Sequence, residues 1–129
     1  MQVHLAVSSD HHAAVLDALV ENSFDSMMIT EATSGNILYV NDAFTDLTGY
    51  SAEDVLGKSP SFLQGAETDK SVVQRLHADM AAGQVFEGKA VNYRKDDSTF
   101  TMWWRVMPVT GRSGQPKYFV ASQRQAPPV

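Results

Sequence analysis

Residues 37–49 read ILYVNDAFTDLTG, a short apolar strand that runs directly into a short helix. Ile37–Val40 supplies the strand, and the side chain of Asn41 is suited to capping the first turn of the helix. Phe44 begins an apolar helix side, and Gly49 is a natural residue for the helix end. The stretch predicts a strand–helix unit that buries one side against a sheet.

The segments on either side of this unit complete an α+β pattern. Strands are predicted to be linked by short turns, which gives an antiparallel sheet, and the central helices can cover one face of it. Residues 59–65, SPSFLQG, are expected to be irregular because Pro60 restricts its neighbours. The predicted elements are an N-terminal helix up to residue 21, strands at 27–30 and 37–40, short helices after 41 and 51, a longer helix at 68–82, and strands at 86–94, 99–109 and 117–125.

Composition narrows the function class. A chain of 129 residues fits one domain, and its net charge of −5 argues against broad binding to nucleic acid or an anionic membrane. With no cysteine, disulfides, zinc–thiolate sites, iron–sulfur clusters and cysteine nucleophiles are excluded. No apolar run is long enough for a membrane helix and no signal-peptide pattern begins the chain, so a cytoplasmic location is expected.

Enzyme motifs are also missing from the sequence. There is no glycine-rich phosphate loop in a strand–helix context and no G-x-S-x-G nucleophile elbow. Adjacent histidines near the N-terminus do not converge on one helix face, so no metal site is expected. We therefore expect a binding or interaction domain rather than an enzyme.

Three side-chain amides stand among apolar neighbours, and they are the best candidates for a binding site. Gln64, Asn92 and Gln123 offer a donor and an acceptor side by side, which matches the alternating carbonyl and imide edge of a heteroaromatic ring. The alternative is that each amide bonds only to neighbouring backbone. Hydroxyls and apolar side chains would complete the pocket: Thr30, Ser59, Ser61, Leu63, Met102, Trp104, Phe119 and Ala121.

Several ordered sequence blocks resemble PAS domains, and within them the LOV (light–oxygen–voltage) branch. The similarity runs from about Val20 to Gln123 and is carried by ILYVNDAFTDLTG, VLG at 55–57, FLQGAETD at 62–69, NYRKD at 92–96 and YFVASQ at 118–123. The resemblance implies a five-stranded antiparallel sheet of order 2-1-5-4-3, with a flavin held between the sheet and the helices.

The resemblance also marks where this chain departs from the LOV pattern. LOV domains form a light-driven bond from a cysteine of the motif G-x-N-C-R-F-L-Q-G to the flavin, and this chain has Pro60 in the cysteine's place. Two arginines that usually meet the flavin phosphate correspond to Ser61 and His77, and a ring-reading asparagine corresponds to Met102. Gln64, Asn92, Gln123 and Thr30 match ring-contact positions, and Lys58, Lys70 or Arg75 could replace the lost phosphate contacts.

Three interpretations of the pocket remain open. The domain binds a flavin, either FMN or FAD, and senses redox state or light through flavin reduction. Alternatively, Met102 and Trp104 fill the cavity and the domain is a ligand-free dimerisation or relay module, or the pocket takes another small ligand. If a flavin binds, Gln123 is the predicted relay residue, because an amide can exchange its donor and acceptor roles when the ring changes protonation.

The sequence also suggests a dimer surface. Strand alternation places Trp103 opposite Trp104 and hence on the outer face of the sheet, where PAS domains commonly dimerise. An apolar N-terminal helix face of Val15, Leu16 and Leu19 would suit the same surface, either in a homodimer or as an intramolecular cover for Trp103. The predicted division is a lead-in and cap helix at 1–21, a PAS/LOV-like sensory domain at 22–125, and a tail at 126–129, with no output motif.

Overall fold

The structure, a computed structural model, describes residues 9–127, and for residues 9–12 it describes only the backbone. The predicted lead-in before Ser9 and the last two residues of the predicted tail lie outside that range. The elements in chain order are α1 (Ser9–Glu21), β1 (Ser26–Glu31), β2 (Ile37–Val40), α2 (Asp42–Thr48), α3 (Ala52–Val55), a 3₁₀ helix (Pro60–Leu63), α4 (Lys70–Ala81), β3 (Phe86–Tyr93), β4 (Thr99–Thr110) and β5 (Pro116–Gln125).

The five strands form one antiparallel sheet of order β2-β1-β5-β4-β3, which confirms the predicted fold. Strand alternation divides each strand between two faces. On β4, Phe100, Met102, Trp104 and Val106 are buried under the helices, whereas the alternating residues Thr101, Trp103 and Arg105 point to the outer face. The inner face and the helices thus enclose the core, in which Phe44 and Phe86 are fully buried.

Capping explains why the short helices form where they do. The Asn41 side chain accepts from the backbone N–H of Phe44 at 3.1 Å, and Gly49 ends α2 in the left-handed conformation with φ of 79°. Ser51 and Asp54 form a reciprocal capping box at the start of α3. These caps were predictable because each depends on side chains close in the sequence.

Two predicted boundaries were wrong. Residues 59–65 are not wholly irregular, because Pro60 starts a 3₁₀ helix and Ser59 caps it by accepting from Ser61 N at 3.4 Å. The long helix begins at Lys70 rather than at Thr68, because Asp69 is its cap. The Thr68 hydroxyl instead accepts from Gly65 N and donates to Val91 O, which fastens the preceding loop to β3.

The first helix is attached at its end and is exposed along its length. Val20 O accepts from Asn41 Nδ2 at 2.9 Å, and the Glu21 carboxylate accepts from the Tyr39 hydroxyl. Leu16 and Leu19 are 50% and 61% exposed, so their side chains are not covered by the rest of the described chain. No helix among the described residues is both long and apolar enough to cross a membrane.

Acid should weaken the fold through Asp54. Its carboxylate accepts from Lys95 Nζ and from Ser51 N, both at 2.9 Å, and these bonds lower its pKa to about 2. Because the folded pKa lies below the ordinary value of 3.8, this contribution to stability is complete above that pH and is lost as the pH falls toward 2. We expect Asp54→Asn to flatten the dependence of unfolding free energy on pH in that window, as measured by urea titration.

Glu53→Gln is the matched control, because Glu53 is the neighbouring carboxylate and makes no side-chain hydrogen bond within the described chain. It should leave the slope between pH 4 and pH 2 close to that of the parent chain. Equal slopes for the parent and Asp54→Asn would contradict the assignment.

Candidate functional site: a neutral cavity between sheet and helices

A cavity of about 80 Å³ lies between the inner face of the sheet and the 3₁₀ helix and α4. Most of the predicted pocket residues line it. The lining consists of Met28, Thr30, Pro60, Leu63, Gln64, Leu76, Met80, Asn92, Met102, Trp104, Val106, Phe119, Ala121 and Gln123. Its walls are therefore apolar, with a few amide and hydroxyl groups at defined positions, which is the usual make-up of a small-molecule site.

The buried amides are only partly used by the protein. Gln123 Oε1 accepts from the Ser26 hydroxyl at 2.7 Å, and Asn92 Nδ2 donates to Ala90 O at 3.3 Å. Among the described residues, no partner occurs for Gln123 Nε2, for Asn92 Oδ1 or for the Gln64 side-chain amide. No fully enclosed side-chain nitrogen or oxygen of the described chain lacks a partner, so these atoms open onto the cavity.

Gln123 thus presents a donor to the cavity and Asn92 presents an acceptor. A heteroaromatic ring with alternating acceptors and N–H donors along one edge is complementary to that pair. Gln64 adds both functions from the opposite wall, at the end of the 3₁₀ helix. The chemistry of the donor set therefore fits the polar edge of a flavin ring.

The volume does not fit a flavin without rearrangement. Small-molecule sites typically enclose about 300–1,000 Å³, several times the space present here. Trp104 and Met102, both buried, occupy part of the interior, with Trp104 tilted against Phe86 at 5.0 Å between ring centroids. Three of the lining residues are methionines, whose flexible side chains can repack to enlarge a cavity.

The cavity opens between the 3₁₀ helix and α4. Pro60, Gln64, Leu76 and Met80 are the half-buried members of the lining, whereas those from the sheet are buried. We call the opening between these four residues the mouth. Pro60, predicted from the family motif to replace the cysteine, lies at this mouth and faces the cavity.

Two predicted pocket residues lie elsewhere. Ser59 and Ser61 are exposed and do not line the cavity. The physical reason is the 3₁₀ helix, because the Ser59 hydroxyl is used as its cap and Ser61 falls on its outer side. The prediction that their hydroxyls enter the cavity was wrong.

The sequence arguments missed four other lining residues: Met28, Leu76, Met80 and Val106. The apolar spacing of α4 carries a signal for Leu76 and Met80, since residues four apart lie on one helix side. Met28 shares the inward pattern of β1 with Thr30, and Val106 that of β4 with Trp104. The strand and helix periodicity shows which residues point inward. It does not distinguish an inward residue that packs in the core from an inward residue that borders a cavity.

A steric constraint explains why residue 65, at the end of the FLQG motif, is a glycine. A Cβ built at this residue would lie 2.4 Å from the Tyr93 ring. The Tyr93 hydroxyl in turn accepts from Glu67 N at 2.9 Å, so the ring cannot easily move away. Glycine therefore allows the loop after the 3₁₀ helix to lie directly on β3, close to the mouth.

The outer face of the sheet carries a second feature, a shallow groove around Trp103. Trp103 donates from Nε1 to Glu87, and Lys89 and Arg124 approach its ring at 5.0 Å and 5.6 Å. Arg105 also pairs with Glu87 at 2.7 Å, and its hydrogen bond is the main cause that lowers the pKa of that carboxyl. In contrast to the inner cavity, the groove is lined by charged side chains, Glu87, Arg105 and Arg124, each of which is in an ion pair.

Comparison with known proteins agrees with this architecture. The family model described as PAS domain matches residues 25–124, so the chain belongs to the PAS domain family. It belongs to the LOV branch of that family. The solved LOV domain of a blue-light-activated histidine kinase from Erythrobacter litoralis is 32% identical, with a TM-score of 0.75, over 78% of this chain and 94% of that domain.

Two curated relatives extend the similarity. Blue-light-activated histidine kinase 1 of Erythrobacter litoralis is 42% identical over 67% of this chain and 24% of its own length. A blue-light-activated histidine kinase of Brucella anthropi is 35% identical over 92% of this chain and 25% of its own length. The chain thus spans about a quarter of the length of these relatives.

Proposed function

We propose that this domain is a flavin-binding sensor that responds through flavin reduction and forms no cysteinyl adduct. The observation that carries the proposal is the pair of buried amides with opposite free functions, Gln123 Nε2 and Asn92 Oδ1, open to one cavity. The LOV relationship supports a flavin as the matching ring. FMN and FAD are both candidates.

The absence of cysteine from the sequence determines the type of response. Pro60 faces the cavity at the mouth and has no nucleophilic atom, so no bond from this position to a flavin can form. A bound flavin supplies reversible uptake of electrons and protons from an external reductant such as a thiol, either in the dark or with light driving the transfer. The protein's own part is to hold the ring edge and to transmit its change in protonation.

Gln123 and Ser26 form the proposed relay. When the ring edge changes from acceptor to donor, Gln123 can rotate its amide and offer Oε1 in place of Nε2. Ser26 allows this rotation because a hydroxyl donates to Oε1 in one state and accepts from Nε2 in the other. The adjacent residues Asp25 and Arg124 are paired at 2.7 Å, which connects the relay to the outer face.

Removing the amide should uncouple the response while leaving a bound ring in place. We expect Gln123→Leu to retain flavin and to lose the structural change that accompanies reduction, measured by amide hydrogen exchange of oxidised and reduced protein. Gln123→Glu, which keeps the length and an acceptor, is the matched comparison and should respond only in part. An unaltered exchange difference in Gln123→Leu would contradict the relay.

A second candidate function follows from the size of the cavity. At about 80 Å³ it is smaller than a typical small-molecule site, which favours a ligand-free relay or dimerisation module with Met102 and Trp104 as core residues. The two candidates differ in one observable, which is whether the protein takes up a flavin at all.

The test is purification of the chain followed by incubation with FMN, FAD and riboflavin. We expect a yellow protein with the vibrationally structured absorption of an immobilised flavin, either as purified or after incubation. A colourless protein that binds none of the three would refute the flavin proposal and favour the ligand-free module. Uptake of a different chromophore would support the third interpretation, another small ligand.

The remaining sequence predictions stay predictions. A homodimer would bring together Trp103 on the outer face and the exposed apolar residues Leu16 and Leu19, with the half-buried Val15 beside them. The output partner, the cytoplasmic location and the expected lack of nucleic-acid binding rest on the sequence arguments. So does the interpretation that this domain is not itself an enzyme.

A further inference from the structure

We infer that this site recognises the flavin ring alone, so that riboflavin, FMN and FAD bind with closely similar affinity. The inference rests on the proposed flavin function and specifies its ligand class: a flavin nucleus whose phosphate, if present, makes no contact with the protein. Two observations carry it, the neutrality of the cavity and the engagement of the nearest guanidinium elsewhere.

Geometry dictates where a phosphate would go. The amides of Asn92 and Gln123 belong to the buried sheet side. A flavin ring bound to them therefore directs its phosphate-bearing chain toward the opposite, open side. That side is the mouth, lined by Pro60, Gln64, Leu76 and Met80, and among these side chains only the neutral amide of Gln64 can donate a hydrogen bond. Among the described residues that line the cavity and its mouth, none is charged.

The arginine next to Leu76 is engaged with β3. Arg75 Nη1 donates to Glu87 O at 2.8 Å, and its guanidinium lies 4.8 Å from the centroid of the Phe86 ring. A Cβ at Gly88 would lie only 2.8 Å from Arg75 Nη2, so glycine at that residue makes room for this arrangement. Arg75 thus contributes to the packing of α4 on β3 and does not line the cavity or its mouth.

The other basic side chains on the neighbouring segments are weak candidates for a phosphate clamp. Lys58, Lys70 and His77 are exposed, and none of them forms an ion pair or a side-chain hydrogen bond within the described chain. A solvent-exposed cation on a flexible side chain gains little from an ion pair, because the side chain must be ordered and salt screens the charge. A buried bidentate arginine, by contrast, is the usual basis of phosphate selectivity.

The decisive experiment compares three flavins on the same preparation. Flavin-free protein is titrated with riboflavin, FMN and FAD by flavin fluorescence at low and at high salt. We expect dissociation constants within about threefold of one another, with little change in the FMN value as salt rises. An FMN affinity that exceeds riboflavin affinity by about tenfold or more, and that falls with salt, would overturn the inference.

Two variants test where the phosphate-bearing chain of the flavin lies. Lys58→Ala should leave the FMN dissociation constant unchanged, and a loss of about tenfold specific to FMN would overturn the inference by revealing a phosphate contact. Leu76→Arg places a guanidinium in the mouth itself and should make FMN bind more tightly than riboflavin by about tenfold. An unchanged ratio in Leu76→Arg would overturn the proposed direction of the phosphate-bearing chain of the flavin.

The outcomes separate this inference from the proposed function. If none of the three flavins binds, the flavin proposal fails and the inference falls with it. If FMN alone binds tightly, the flavin proposal stands and only the inference fails. Equal binding of all three supports both.

Discussion

Pro60→Cys is expected to give a flavin-loaded domain that blue light converts reversibly, whereas the parent chain shows no such conversion. The conversion appears as loss of the blue absorption band of the flavin without any added reductant, followed by recovery in the dark. It is the largest functional change that we expect from one substitution, because it supplies the one atom that the family's photochemistry requires and this chain lacks.

The position supports this expectation. Residue 60 is the first residue of the 3₁₀ helix and its side chain lines the mouth of the cavity, next to Gln64 and Leu63. A cysteine there can adopt the same backbone conformation, since φ of a 3₁₀ helix suits any L-residue. The Ser59 cap does not involve the Pro60 side chain and should persist.

Pro60→Ser is the matched control, because it has nearly the size of cysteine but no thiol. It should bind flavin as the cysteine variant does and show no conversion. If Pro60→Cys binds flavin and remains unchanged under blue light while Pro60→Ser behaves identically, residue 60 does not face the ring as proposed. Flavin content is measured first, so a loss of binding is not mistaken for a loss of chemistry.

Asn41→Ala is expected to cause the largest loss of stability among polar substitutions, about 3 kcal/mol in the free energy of unfolding. Asn41 is 2% exposed and its one amide makes four hydrogen bonds. Oδ1 accepts from the backbone N–H groups of Met27 and Phe44, and Nδ2 donates to the carbonyls of Val20 and Asp25. Truncation leaves all four backbone groups without this partner.

The same substitution should loosen the first helix, since the bond to Val20 O is one of its two described side-chain attachments. Urea unfolding gives the stability change, and amide hydrogen exchange of residues 13–21 reports the loosening. Asn22→Ala is the control, because Asn22 also donates to a backbone carbonyl but is exposed, and should cost less than about 0.5 kcal/mol. Equal losses for the two variants would contradict the role assigned to Asn41.

Local chemistry explains what the sequence predicted well. The Asn41 cap, the Ser51–Asp54 capping box and the Gly49 helix end all arise from residues within a few positions of one another. The inward series on β4, from Phe100 to Val106, follows from the two-residue period of a strand. The order of the strands, by contrast, came from the family resemblance and not from any of these local signals.

Contacts that form only in the folded chain explain why some residues were assigned the wrong role. Thr68 looked like the start of α4, but its hydroxyl is committed to Gly65 and Val91, so Asp69 became the cap. Ser59 looked like a pocket hydroxyl, but it caps a four-residue 3₁₀ helix that has no periodicity to detect. Arg75 looked like a free cation, and only the fold shows that Glu87 O lies within its reach.

Illumination of the flavin-loaded parent chain distinguishes flavin reduction from formation of a covalent adduct. Absorption is recorded under blue light with and without an added electron donor such as a thiol reductant, and again after readmission of air. A flavin held without an adduct-forming residue should lose its blue band lastingly only when the donor is present, and regain it in air. A reversible loss of the band without any donor, with recovery in the dark, would contradict the account.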